Sequence, residues 1–284
     1  MHTHDEAFPR ALDVTEGHAP IDGGELWYWD TGGTGEPIVL MHAGTGSGMT
    51  WAPQRDVLAA AGYRVIGYSR RGHHRSSPMV AEAPGSGAGD LMALVRELDL
   101  EPFHAVALAG GGYFAVDLAL SEPAMLRSMT IACSLMGITE PAWIERLQAL
   151  FFPEFWRLPS DFLELGPSYR AESPHGVAEW RRLFELAYDG RPPGPPPPER
   201  PLGPHQEMLS AITWEALATI QLPTLLIAGG ADLILPPPLM EEAASHIPGA
   251  RFEIMPDAGH SAPWERPDRF NELTLEFLAS VQPL

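Results

Sequence analysis

Two side chains of complementary chemistry stand in the last quarter of the sequence. His260 lies in "DAGHSAPWERPDRFNELTLEFL", on a glycine-containing loop between a strand-like run and the final helical pattern. Imidazole is the side chain whose ordinary pKa suits proton transfer near neutrality. Asp232 lies in "LLIAGGADLILPPP", where an apolar run ends in Gly-Gly-Ala-Asp ahead of a proline-led helix. A carboxylate at that turn can accept the Nδ1–H of His260, fix the ring's tautomer and stabilise its charged form. It sits too far ahead of the next helix to be only its N-cap.

A base and its orienter need somewhere to hold developing negative charge. Two glycine-rich stretches offer it. In "VALAGGGYFAVDLAL" an apolar strand runs through Ala109 into Gly110 and a helix. In "VLMHAGTGSG" His42, Ala43 and Gly44 follow another strand. Backbone N–H groups at a helix N-terminus (Gly110) and on a glycine loop (Ala43 or Gly44) are suited to an oxyanion. Trp51 and Trp264 each lie close to one of the chemical motifs and are expected to wall a small-molecule pocket. The strand–helix turn itself carries no serine, cysteine or threonine.

The elements that must position these groups alternate. Strand-like runs "ELWYWD", "PIVLMH", "YRVIGYS", "FHAVAL", "SMTIAC", "TLLIAG" and "RFEIMP" are separated by "QRDVLAAAG", "AGDLMALVRELDL", "YFAVDLALSEP" and "PPPLMEEAASHIPG", whose apolar residues recur at helical spacing. The last helix repeats Phe270, Leu273, Phe277, Leu278 and Val281. This alternation predicts an α/β fold, a mostly parallel central sheet with helices on both faces. Residues 139–213 break the rhythm with helical patterns and no convincing strand. They are expected to form a helical cap on a core made of 1–138 and 214–284. Ser173-Pro174 reads as a helix start, and "RPPGPPPPERP" as a stiff proline-rich connector.

Taken in order, these segments resemble the α/β-hydrolase fold family from about residue 20 onward. His42-Ala43-Gly44 is similar to its oxyanion stretch. "YSRRGHHRSS" is similar to its D-x-R-G-x-G-x-S segment, with Ser69 in place of Asp and His74 in place of Gly. The turn at 107–111 is similar to the nucleophile elbow, and the order elbow, Asp232, His260 is the one that fold uses. The resemblance places Ala109 at the nucleophile position, fixed by Leu118, Ala119 and Pro123 downstream; a shift of one would place Gly110 there. Neither residue supplies a nucleophile, so the two-step serine mechanism has no attacking atom at this turn.

Three readings stay open. In the preferred one His260 works as a general acid–base on a small, largely apolar ester, lactone or β-dicarbonyl, in hydrolysis, elimination or cyclisation. Such catalysis supplies about 10²–10⁴-fold and oxyanion donors about 10²–10³-fold, enough for activated carbonyls but not for an amide. In the second, Ala109 is an engineered replacement of serine; in the third, the protein is a catalytically dead small-molecule binder.

Bulk properties bound the partners. The 284 residues carry a formal net charge of -19, so nucleic acid and anionic membrane are poor partners. No apolar run is long enough for a membrane span. One cysteine, Cys133, excludes an internal disulfide framework and reads as buried and structural. The adjacent His73 and His74 read as loop residues rather than metal ligands, and His2 and His4 as part of a polar terminus. The glycine runs lack G-x-G-x-x-G spacing. No cofactor or metal is expected, the first residues do not read as a secretion signal, and a cytoplasmic enzyme with a small-molecule substrate follows. Self-association into a homodimer is left open.

Overall fold

The computed structural model of the chain describes residues 13–80, 82–190 and 206–281. Its strands are β1 (Thr15–Ile21), β2 (Gly24–Asp30), β3 (Pro37–Met41), β4 (Arg64–Tyr68), β5 (Phe103–Leu108), β6 (Leu126–Ala132), β7 (Thr224–Gly229) and β8 (Arg251–Met255). They form one sheet in the order β1-β2-β4-β3-β5-β6-β7-β8. From β4 to β8 the pairing is parallel, and only β1 and β2 join antiparallel at one edge. Helices α1 (Ala52–Ala60), α2 (Gly87–Glu97) and α3 (Gly110–Ser121) follow β3, β4 and β5. Then α4 (Pro141–Gln148), α5 (Ser160–Glu164), α6 (Pro167–Glu172), α7 (Pro174–Ala187) and the single turn α8 (Trp214–Leu217) fill the interval between β6 and β7. Finally α9 (Pro237–Ser245) precedes β8, and α10 (Ala262–Glu265) and α11 (Pro267–Ser280) close the chain.

Alternation along β5 shows why two helical layers are needed. Phe103, Ala105 and Ala107 pack into one core with Leu91 and Leu94 of α2 and Phe114 of α3. Val106 and Leu108 point the other way, into a core with Leu58 of α1 and Phe270, Leu273 and Phe277 of α11. Successive side chains of a strand face opposite sides, so a strand buried on both faces reads as a continuous apolar run. β1 gave no such signal. "TEGHAPI" holds glycine, histidine and proline, and it forms because every residue from Thr15 to Ile21 pairs with β2. Pro20 is tolerated there because β1 is an edge strand.

Parallel strands bring the C-terminal ends of β3, β4, β5, β7 and β8, with the loops that follow them, to one edge of the sheet, where such folds place ligands. The segment after β6 leaves and re-enters the core at one place, since Thr139 N donates to Ile212 O (2.9 Å) and Ile138 bridges Ile212. The helix at Trp143 ends at Gln148, and α7 starts at Pro174 although the Ser173 side chain makes no cap bond. The proline-rich stretch and His2 and His4 lie outside the described residues.

The two departures after β4 are accommodated without distortion. Ser69 Oγ accepts from Gly48 N (3.2 Å), and Ser69 O accepts from Ser76 Oγ (2.6 Å). The His74 ring packs nearly perpendicular to Trp27, and the His74 backbone N–H donates to Ala187 O (2.7 Å). The left-handed positions of this turn fall on Gly72 and Arg75 rather than on His74. Just before them Arg71 reaches Asp90 of α2 through two bonds of 2.7 and 2.8 Å, both side chains being more than nine-tenths buried. Removing one partner of a buried pair strands the other charge, so Asp90→Ala is expected to cost about 3–5 kcal/mol in urea unfolding.

Candidate active site

The turn after β5 is built on Ala109. Its φ of 46° and ψ of −111° put an L-residue in a sparsely populated region, at a cost of about 1–3 kcal/mol that the surroundings must hold. They do so with three hydrogen bonds. Ala109 N donates to Ala132 O (2.9 Å), and Ala109 O accepts from Gly112 N (3.0 Å) and Ser134 Oγ (2.6 Å). The strained residue of this turn is 109, and Gly110 already belongs to α3. The following glycine run has a steric cause, because a Cβ on Gly111 would lie 2.2 Å from Met41 O. The N-terminus of α3 is thus pressed against the end of β3.

That approach creates the cradle. A Cβ on Gly110 would sit 3.2 Å from Gly44 N, so the head of α3 lies against the Gly44 amide, with open space at Gly44, where a Cβ would meet nothing within 4 Å. The loop is held in this pose through Ala43 O. It accepts from His42 Nδ1 (2.6 Å), Arg70 Nη2 (3.0 Å) and Gly46 N (3.1 Å). In a trans peptide the N–H opposes the C=O, so clamping Ala43 O turns Gly44 N–H the other way. Gly44, rather than Ala43, is therefore the second candidate donor.

His42 has a different place from the one its neighbourhood suggested. Its ring is fully buried, and Arg70 N donates to Nε2 (2.9 Å). Nε2 must therefore be unprotonated, and Nδ1–H donates to Ala43 O. Burial, with Arg70 and His73 nearby, holds this imidazole well below its ordinary pKa. Both ring nitrogens are engaged, so His42 braces the loop through Ala43 O and Arg70 N.

Asp232 and His260 meet as their motifs suggested. His260 Nδ1 lies 2.8 Å from Asp232 Oδ2, while Asp232 Oδ1 accepts from Ile234 N (2.7 Å) and Leu235 N (2.9 Å). The two amides fix the carboxylate, and the carboxylate fixes the Nδ1–H tautomer. Nε2 has no partner among the described residues and is the nitrogen left to exchange a proton. Burial opposes charge on His260, but the Asp232 and Glu164 carboxylates outweigh it and raise its pKa to about 9.

With this geometry the sequence itself can be placed. Residues 38–273 match the alpha/beta hydrolase family. The chain belongs to the alpha/beta hydrolase family. It is 28% identical over 240 residues to 3-oxoadipate enol-lactonase 1 of Acinetobacter baylyi, covering 84% of this chain and 86% of that protein. It is also 28% identical over 289 residues to a 2-hydroxy-6-oxononadienedioate/2-hydroxy-6-oxononatrienedioate hydrolase of a Pseudomonas species, covering 94% and 95%. Among solved structures, a thermophilic esterase from Thermogutta terrifontis superimposes with a TM-score of 0.74 at 25% identity, covering 95% of this chain and 100% of that one.

Around the hydrolase-family elements lie groups that the sequence did not single out. Glu164, at the end of α5, is buried and accepts from Thr45 Oγ1 (3.0 Å) beside the cradle and Ser261 Oγ (3.0 Å) beside His260. Glu265 accepts from Gly259 N (2.9 Å) and Gly166 N (2.8 Å). Burial outweighs those two donors and lifts its pKa to about 7. Two carboxylates thus rivet the helical segment to the loop that carries His260. Neither has a local sequence signature, because Glu164 meets Thr45 and Ser261 at separations of 119 and 97 residues and Glu265 meets Gly166 at 99. Glu265→Ala is expected to strand both amides, at about 1–3 kcal/mol each, read as a lower urea midpoint and faster proteolysis within residues 149–190.

Trp51 and Trp264 line a small cavity together with Ala43, Thr50, Leu108 and Trp180 of α7. It sits beside the cradle rather than over it, since Leu108 and Ser261 border it while Ala109 and His260 do not. Both tryptophans are buried, and Trp51 also packs on Phe270 (centroids 6.3 Å). Cys133 is buried with a φ of 46°, its Sγ 3.7 Å from Gly259 O, and burial pushes its thiol pKa well up. Among the described residues no cluster of His, Cys, Asp and Glu could hold a metal ion, and no helix is long and apolar enough to cross a membrane.

Proposed function

We propose that this hydrolase-family chain is an enzyme acting on a small carbonyl compound by His260–Asp232 general acid–base catalysis, with no covalent nucleophile. The observation that carries the reading is the pairing of an ordered His260–Asp232 couple with an elbow whose strained residue is alanine. Gly110 N–H and Gly44 N–H hold the oxyanion or enolate oxygen. His260 Nε2 takes a proton from water or from the substrate and returns it to the leaving atom, while Asp232 stabilises the imidazolium between those steps. The segment 139–213 is the cap, and Glu164 and Glu265 set its seat. The relatives named for an enol-lactone and for 2-hydroxy-6-oxo dioates support an oxygenated, enolisable carbonyl substrate.

The test is a panel of activated esters, lactones and β-dicarbonyls, assayed before and after incubation with a fluorophosphonate. Turnover of at least one class that the reagent leaves unchanged is the expected result. Turnover abolished by the reagent would assign the chemistry to a hydroxyl nucleophile. Ligand binding with no turnover in any class, unaffected by His260→Ala, would make the protein a binder.

A further inference from the structure

Arg70 lies in a place where a cation is costly. Its side chain is nine-tenths buried, and among the described residues no carboxylate comes within ion-pair distance. The neighbours that face it are His42 and His73, the rings of Tyr68, Tyr113 and Tyr188, and the face of Phe114, 5.3 Å from the guanidinium carbon. Nη2 is committed to His42 O (3.2 Å) and Ala43 O (3.0 Å), whereas Nε is buried with no partner among the described residues. Two carbonyl dipoles do not neutralise a buried guanidinium, and an unpaired buried charge is expensive.

The position of that charge is informative. A Cβ on Gly110 would lie 3.4 Å from Arg70 Nη2 and 3.5 Å from Nη1, on the same side as Gly44 N. The guanidinium therefore borders the cradle, whose open face is at Gly44. We propose that Arg70 anchors a carboxylate of the substrate at the edge of this cradle, so that the compound turned over is a keto acid or another carbonyl carboxylate rather than a neutral ester or lactone. This rests on the cradle described under the proposed function and sharpens its substrate class. An anion approaching a chain of net charge -19 is repelled at long range, so its affinity must come from a local cation of this kind. Arg supplies fixed donors suited to a carboxylate.

Equilibrium binding separates this inference from the catalytic one. Phenylacetate and its neutral isostere phenylacetamide are titrated calorimetrically into the full chain at neutral pH. Phenylacetate is expected to bind about tenfold or more tightly than the amide, the scale of one charge-assisted pair. Arg70→Gln should erase that preference and Arg70→Lys should keep part of it. Gly110→Ala, which adds a methyl between Gly44 N and the guanidinium without touching Ala43 O, should weaken the acid more than the amide. Equal affinity for acid and amide, no saturable phenylacetate binding, or a preference unchanged in Arg70→Gln would overturn the proposal. Because Arg70 also braces Ala43 O, the wild-type comparison and Gly110→Ala decide the matter if the Arg70 variants do not fold. Binding that survives His260→Ala while turnover fails would leave the anchor intact and locate the failure in catalysis; the reverse pattern would sink the anchor alone.

Discussion

His260→Ala is expected to lower kcat/KM by about 10²–10⁴-fold, the range that a positioned general acid–base contributes. His260→Gln is the informative companion. A glutamine amide can still donate to Asp232 Oδ2, so the buried carboxylate keeps a partner, yet the side chain cannot carry a proton between water and substrate. Both variants should therefore show that loss, with His260→Gln the more stable. The pH profile gives an independent readout. A base acts in its neutral form, and His260 is held charged up to about 9 by Asp232 and Glu164. kcat/KM should rise with pH and level off above that value.

Stability should move the opposite way over the same interval. The folded pKa of His260 is raised above its ordinary 6.5. Folding therefore favours the protonated ring, and that contribution is complete below 6.5 and lost as pH climbs through about 9. Glu265 adds an earlier loss of the same sign, between its ordinary 4.5 and about 7, because burial favours its neutral form. Urea midpoints across pH should fall in both windows for the parent chain. In His260→Ala only the upper window should flatten.

Ala109→Ser carries the second large effect, a gain. The backbone at 109 already has the strained conformation, held by Ala132 O, Gly112 N and Ser134 Oγ, so a serine enters without rebuilding the turn. It would place a hydroxyl at the head of α3, the position proposed for attack, with Gly110 N–H and Gly44 N–H beside it. Covalent labelling by a fluorophosphonate should go from undetectable to stoichiometric and should require His260. Absence of labelling in a folded Ala109→Ser would mean that His260 does not reach the turn. That result would dissolve the candidate site into two unrelated loops.

Much of this was legible from local pattern. β5 and β7 read as strands because they are buried on both faces, and α11 because its apolar residues fall on one side. The His260–Asp232 couple was legible because each residue follows a strand in a turn of distinctive composition. What stayed hidden depended on residues distant in the chain. β1 exists only through its pairing with β2, and Glu164 matters only because Thr45 and Ser261 come to it. The direction of the His42 ring was hidden for the same reason. Its motif places it beside the cradle, but the direction of its ring is set by Arg70 N from the next strand's loop. The choice between Ala43 and Gly44 likewise turned on three donors that clamp one carbonyl, two of them side chains.

The central claim is that the chemistry passes through His260 without a bond between substrate and chain. Intact-protein mass measured on samples quenched during steady turnover tests it most directly, with Ala109→Ser as the control able to accumulate an acyl group. The parent chain is expected to keep its unmodified mass throughout turnover. A substrate-derived adduct on the parent chain, on whichever residue, would contradict it.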